Sequence, residues 1–207
     1  MSIPELIPVD REATDPVTPQ AVIESHKIGG LWLIFDTETT GLVNEATSDL
    51  AQQPHVIEFA GVHIDQGGEI VAEMSVLFKP PIPKLPDIIT KITGITDETL
   101  ADKLPFNCEA VQRFVNAADV STAVAHNFAF DKAMLGFEFA RQNQTIEWPK
   151  RKICTVEASM AVKGRRMKLG DLHREFFGEG IVGAHRALND VKALARIVHF
   201  MRMKGML

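Results

Sequence analysis

The spacing of hydrophobic positions along this 207-residue chain changes several times, and each change marks a predicted element. Leu31, Trp32, Leu33, Ile34 and Phe35 form an unbroken apolar run that ends at Asp36, the pattern of a buried central strand. "HVIEFAGVHI" (55–64) alternates as a strand should, and Gly67-Gly68 turns it into "EIVAEMSVLFK" (69–79), which predicts a hairpin. Prolines 80, 81, 83 and 86 interrupt the pattern before a short helix near 87–92, and Thr96 ahead of Asp97 and Glu98 predicts another helix start. "CEAVQRFVNAA" (108–118) reads as helix and "DVSTAVAH" (119–126) as strand, with Asn127 placed to cap a helix reaching about Gln142. A short strand near Ile153 precedes two helical patterns, "VEASMAV" and "KLGDLHREFF". The last predicted helix, 186–203, aligns Asp190, Leu194, Ile197 and Met201 on one face. Strands first in series and then alternating with helices predict an α/β fold, a mixed five-stranded sheet flanked by helices.

Residues 1–30 read as an N-terminal extension and 31–207 as the folded domain. Four prolines fall within the first 19 positions, which opposes regular structure there, although "TPQAVIESHK" (18–27) predicts one short helix capped by Thr18. The apolar "AVI" within it suggests that the extension docks a partner or covers a face of the domain. The first residues are acidic and lack the basic and apolar regions of a secretory signal, and no apolar run approaches the ~18 residues of a membrane span. Cys108 and Cys154 lie in unrelated contexts and form no CxxC pair, so the expectation is a reduced, cytoplasmic protein without a membrane partner.

Charge alters this picture by its distribution rather than its sum. The net charge is −5. Residues 1–131 carry 7 Lys/Arg against 20 Asp/Glu, whereas residues 132–207 carry 15 against 7. The basic half contains "KRK" (150–152) and "KGRRMK" (163–168), enough to meet a phosphate backbone locally, though runs of this kind also occur as plain solvated faces.

The candidate chemistry is carboxylate chemistry. Asp36 and Glu38 are two residues apart, so in an extended strand both project from one side toward one point. Asp131, in the first turns of the helix after the 119–126 strand, and Asp190, on an otherwise apolar helix face, add two more inward acids. Buried carboxylates are costly unless paired or bound to metal, and oxygen donors suit hard cations such as Mg²⁺ or Mn²⁺. Read singly, each acid passes for an ordinary strand-end or helix-end residue. His185 sits five residues before Asp190, so the two reach one site only if His185 lies in the loop "GEGIVGAH", whose glycines permit it. An imidazole so placed suits proton transfer from water.

"FDTETTGL", "AHNFAFD" and "HRALND" resemble, in order and spacing, the three motifs of the DEDDh 3′→5′ exonucleases. These are the DnaQ-like enzymes that include the proofreading epsilon subunit of bacterial DNA polymerase III. The resemblance covers about 31–203 and extends to "VIEFAGV" and "ITGITDETLADK". It implies a ribonuclease-H-like fold and a two-metal phosphodiester hydrolase that releases nucleoside 5′-monophosphates from a 3′ end. Carried over, Asp36, Glu38, Asp131 and Asp190 would be the ligands of two Mg²⁺ or Mn²⁺ ions, and His185 would activate water. Thr39 and Leu42 would meet the terminal nucleotide, with His126 and Asn127 matching the family's H-N pair. Arg186, Lys163, Arg165, Arg166 and Lys168 would be phosphate contacts. Phe128 departs from the family, which often has a small residue there; close packing or a base contact would explain it. The expected substrate is single-stranded or frayed DNA. RNA trimming is the nearest alternative, and an inactive polymerase-associated binding module the one from another class. A polymerase or another replication or repair protein is the expected partner.

Overall fold

The computed structural model describes residues 30–207, so the helix expected over 18–27 lies outside the described residues. Five strands form one sheet in the order β3-β2-β1-β4-β5: β1 Leu31–Thr39, β2 Val56–Ile64, β3 Ile70–Leu77, β4 Val120–Ala125 and β5 Arg151–Cys154. β1 is central, antiparallel to β2 and parallel to β4, while β2–β3 is antiparallel and β4–β5 parallel. The β2–β3 hairpin turns where expected, with Gly68 at φ 88°, a left-handed backbone suited to glycine.

The described residues form seven α-helices: α1 Asp87–Thr93, α2 Asp97–Leu100, α3 Cys108–Val115, α4 Phe128–Arg141, α5 Thr155–Lys163, α6 Leu169–Phe177 and α7 Ala187–Met203. α4 packs against β1, β2, β4 and β5, α7 packs on β1 and β2, and α6 packs on α7. The two layers use opposite faces of β1. Leu33 and Phe35 join Val111, Met134, Leu135 and Phe139 in one core, while Trp32 and Ile34 join Val191, Leu194 and Val198 in the other. Leu33, Ile34 and Phe35 are fully buried, each contributing roughly 1.5–3 kcal/mol, enough to hold a strand whose far end carries repelling acids. Among the described residues no helix is long and apolar enough to cross a membrane.

Three expectations need correction. β1 does not end at Asp36; it continues to Thr39 because β2 pairs with it along that whole length. β2 is buried at all nine positions rather than alternating with solvent, since helices cover both faces, and Glu58 and His63 therefore lie inside. α7 buries more than one stripe: Leu194 faces the sheet, whereas Ile197 and Met201 meet Met167 and Leu172 beside α6.

Candidate active site

Alternation along β1 sorts its last residues. Thr37 follows Leu33 and Phe35 toward α4, and Asp36 and Glu38 follow Trp32 and Ile34 toward α7. One oxygen from each of Asp36, Glu38 and Asp190 lies within 4.8 Å of the others. Asp131, 2% exposed, comes from the first turn of α4 on the opposite side. Its Oδ1 accepts from the backbone N and Oγ1 of Thr37, at 3.1 and 2.8 Å. Asp190 comes from the first turn of α7; its Oδ2 accepts from the His185 backbone N at 3.1 Å, and its Oδ1 is buried without a hydrogen-bond partner among the described residues.

Burial and mutual repulsion act together on these acids. Burial, then Asp131, Glu38 and Asp190, push the Asp36 carboxyl well above the usual range. Glu38 is pushed up to about 8, by burial first and then by Asp190, Glu58 and Asp131, with the Arg186 guanidinium opposing. Burial raises Asp131 to about 7 against the hydrogen bonds from Thr37, and it raises Asp190 too. A cation in the midst of such a set favours its ionised form, and all-oxygen donors with one orphaned buried oxygen suit Mg²⁺ or Mn²⁺.

His185 lies in the loop between α6 and α7, exposed and left-handed at φ 67°. For a residue with a Cβ that backbone is uncommon, and in a loop bracketed by Gly183 at φ 66° it turns the chain sharply into α7. His185 lines a recess of about 270 Å³ together with Lys168, Arg174 and Asp190. On the other side of Glu38, Thr39, Leu42, Ile88, Ile92 and Phe130 line an apolar pocket of about 600 Å³. Thr39 Oγ1 donates to Gly41 O at 2.7 Å, and Leu42 is 82% exposed at the pocket's edge.

The remaining sequence candidates are dispersed. His126 is half-buried, its Nδ1 at 2.9 Å from Thr155 Oγ1, and burial drops its pKa to about 4, so the ring is neutral. Asn127 occupies the N-cap position of α4 but makes no capping bond, because φ 74° takes its side chain away from the first-turn amides. Phe128 is buried edge-on against Phe35 and beside Trp148, so close packing accounts for its bulk. Arg186 forks onto Glu58. Arg166 pairs with Glu157 at 2.8 Å and Lys163 with Glu175 at 2.7 Å, whereas Arg165 and Lys168 are exposed without an ion pair among the described residues.

Sequence reading missed several contributors, among them Thr37, Ile88, Ile92 and Glu58. Thr37 was visible as a hydroxyl between two acids on the opposite strand face. Ile88 and Ile92 were visible as an i, i+4 apolar pair on a short helix. Glu58 was visible only as one acid within "VIEFAGV", with nothing to show that its charge is buried.

A family model described as Exonuclease (RNase_T) matches residues 33–198. The chain belongs to the RNase_T exonuclease family. Relatives of the chain include a DNA polymerase III subunit epsilon of Treponema pallidum, 34% identical over 83% of this chain and 78% of that protein. The epsilon subunit of Pasteurella multocida is 32% identical over 84% and 68%. A PolC-type DNA polymerase III of Caldanaerobacter subterraneus is 31% identical over 84% of this chain, which spans only 12% of that polymerase. Exonuclease X in complex with 5′ overhanging duplex DNA matches with a TM-score of 0.60 at 25% identity, covering 84% of this chain and 93% of that one. The nuclease domain of 3′hExo, a DEDDh family member bound to rAMP, shares the fold with a TM-score of 0.69 at 18% identity over 85% and 93%. The mixed sheet flanked by helices is therefore that of the ribonuclease-H-like DEDDh exonucleases, and the family uses divalent metals.

Proposed function

We propose that this exonuclease removes nucleotides one at a time from the 3′ end of single-stranded or frayed DNA, releasing nucleoside 5′-monophosphates. The observation that carries the proposal is the convergence of Asp36, Glu38 and Asp190 within 4.8 Å, with Asp131 alongside and an apolar pocket adjoining Glu38. Asp36, Glu38, Asp131 and Asp190 would hold two Mg²⁺ or Mn²⁺ ions. Two such ions, when bound, stabilise charge on the attacking and leaving oxygens of an in-line displacement.

The chain's own groups do the rest. His185 takes the proton of the attacking water, so its ring must be neutral. Its exposed loop position lets the side chain swing without breaking a core contact. Thr39 and Leu42 position the terminal nucleoside in the pocket with Ile88, Ile92 and Phe130, whose apolar surfaces accept any base and favour none. Lys168 and Arg165 attract the phosphate backbone. DNA is placed ahead of RNA because the epsilon and PolC-type relatives are DNA polymerase III proteins by name, and for the same reason the chain is proposed to work beside a polymerase.

Strands of DNA and RNA labelled at either end should be incubated with the protein in Mg²⁺ and in EDTA, beside Asp36→Ala. The expected result is a ladder that shortens from the 3′ end, requires metal and is absent in the variant, with DNA degraded faster than RNA. Faster RNA degradation would reassign the substrate. Binding without degradation would leave a nucleic-acid-binding module.

A further inference from the structure

Glu58 is 1% exposed, in a strand buried at every position, directly across the β1–β2 register from Glu38. Two like charges facing one another on one sheet face destabilise it, and a buried carboxylate must be paired. Glu58 Oε2 accepts from Arg186 Nε at 3.2 Å and from the Ala187 backbone N at 3.3 Å, while Oε1 accepts from Arg186 Nη2 at 3.2 Å. α7 receives no side-chain cap from Arg186, the residue at its N-cap position. A carboxylate from a neighbouring strand therefore does that work, and a negative charge there also suits the helix dipole.

The residues so gripped are the two that join the loop to the helix. His185 immediately precedes Arg186, is itself left-handed, and gives its backbone N–H to Asp190. Asn189 Nδ2 donates to Gly183 O at 2.8 Å, closing the same turn from the other side. Upstream the loop is anchored at Glu179, whose carbonyl lies 2.9 Å from His173 Nδ1 and whose carboxylate pairs with Arg196, and between the two anchors Val182 is 91% exposed.

We infer that Glu58 is a positioning residue: by gripping Arg186 and the first amide of α7 it fixes where His185 and Asp190 stand, and Arg186 is the handle rather than a phosphate contact. This rests on the nuclease reading for its kinetic consequence, but not for its structural one. Misplacing reacting groups by about 1 Å can cost ~100-fold, so Glu58→Gln should lower kcat by about that factor with KM unchanged. Arg186→Ala should do the same, and the double variant should be no worse than either alone, because both cut one connection. Added guanidinium should partly restore kcat to Arg186→Ala and do nothing for His185→Ala.

Binding of Mn²⁺ alone, followed by calorimetry without nucleic acid, separates position from charge. If the pair acted only through charge, removing the guanidinium beside the acids would tighten Mn²⁺. The positioning role predicts that Arg186→Ala loosens it, through a misplaced Asp190. Circular dichroism should show both variants folded; if Glu58→Gln fails to fold, Arg186→Ala and Arg186→Lys carry the same test from an exposed side chain. A raised KM with intact kcat in Arg186→Ala would restore the phosphate contact and overturn the inference, as would tighter Mn²⁺ binding or additive losses. If the wild type degraded no strand, the nuclease reading would fall, and the Mn²⁺ titration would still decide the role of Glu58.

Discussion

α4 and α7 lie on opposite faces of β1, and each delivers one aspartate from its first turn to the same strand end, yet the two are held differently. Asp131 is buried, and two donors from Thr37 fix one of its oxygens. Further along α4, Glu138 accepts from the Val56 backbone N at 3.0 Å and stands 3.0 Å from Arg141. Arg141 in turn donates to the carbonyls of Leu50, Gln53 and Pro54, fastening the chain between β1 and β2. At the start of α7, Asp190 is half-buried, one oxygen accepts a single backbone N–H, and the other has no hydrogen-bond partner among the described residues. One proposed ligand is built into the core; the other is held by a clasp at the mouth of a loop. On the proposed function the difference separates two tasks, keeping a ligand in place without metal and leaving an oxygen free for the metal to satisfy.

The sharpest way to break this contrast is to remove each aspartate. Asp131→Ala and Asp190→Ala should each lower kcat by about 1000-fold, since each removes a ligand from a charge-stabilising site worth several kcal/mol. Stability should split them. Asp131→Ala strands the buried donors of Thr37, at a cost of about 1–3 kcal/mol. Asp190→Ala removes a carboxylate whose burial opposes its ionisation and should leave stability in EDTA unchanged or raised. Urea unfolding in EDTA measures both, and equal losses would show that the two ligands are equally built in.

The acids also make stability depend on pH in an unusual direction. Glu38 moves from an ordinary 4.5 to about 8 and Asp131 from 3.8 to about 7. The folded protein thus holds these protons more tightly than the unfolded chain. Their stabilising contribution is complete below the ordinary values and is lost as pH rises through the folded ones, so in EDTA the melting temperature should fall from about pH 4 toward pH 8. Mn²⁺ binds the ionised form and should raise the melting temperature most at the alkaline end. Glu38→Gln should flatten the EDTA profile, and a profile already flat in the wild type would mean that neither burial nor repulsion raises these carboxyls.

Much of this was legible in the sequence. The apolar run before Asp36, the two-residue step to Glu38, the glycine hairpin and the order of strands and helices gave the sheet and the strand-end acids directly. The pieces not legible depend on contacts between distant segments. Glu58 meets Arg186 and Ala187 across more than half the chain, and no local spacing encodes that. Thr37 meets Asp131 only because β4 lies beside β1 and hands the chain to α4. Asn127 has the composition of a cap, but the tight entry from β4 forces it left-handed and spends that capacity. Arg186 was expected to meet phosphate, because a sequence shows a charge without its partner, here Glu58.

The smallest expected effects test the contrast between the helix starts most finely. Thr37→Val keeps the side-chain shape and the backbone bond to Asp131 but removes the hydroxyl donor at 2.8 Å. It should cost about 1–2 kcal/mol by urea unfolding. Because that hydrogen bond favours the ionised carboxylate, its loss should also push the Asp131 carboxyl higher and move Mn²⁺ binding to higher pH. Asn189→Ala removes the clasp on Gly183 O at the exposed start of α7 and should cost about 0.5 kcal/mol, while lowering kcat a few-fold as His185 loosens. The two variants should therefore rank oppositely in stability and in turnover relative to their stability cost: the buried donor matters more to the fold, the surface clasp more to the reaction. If Asn189→Ala destabilised the protein as much as Thr37→Val, the α7 start would be as firmly built as the α4 start, and the free oxygen of Asp190 would need a different explanation.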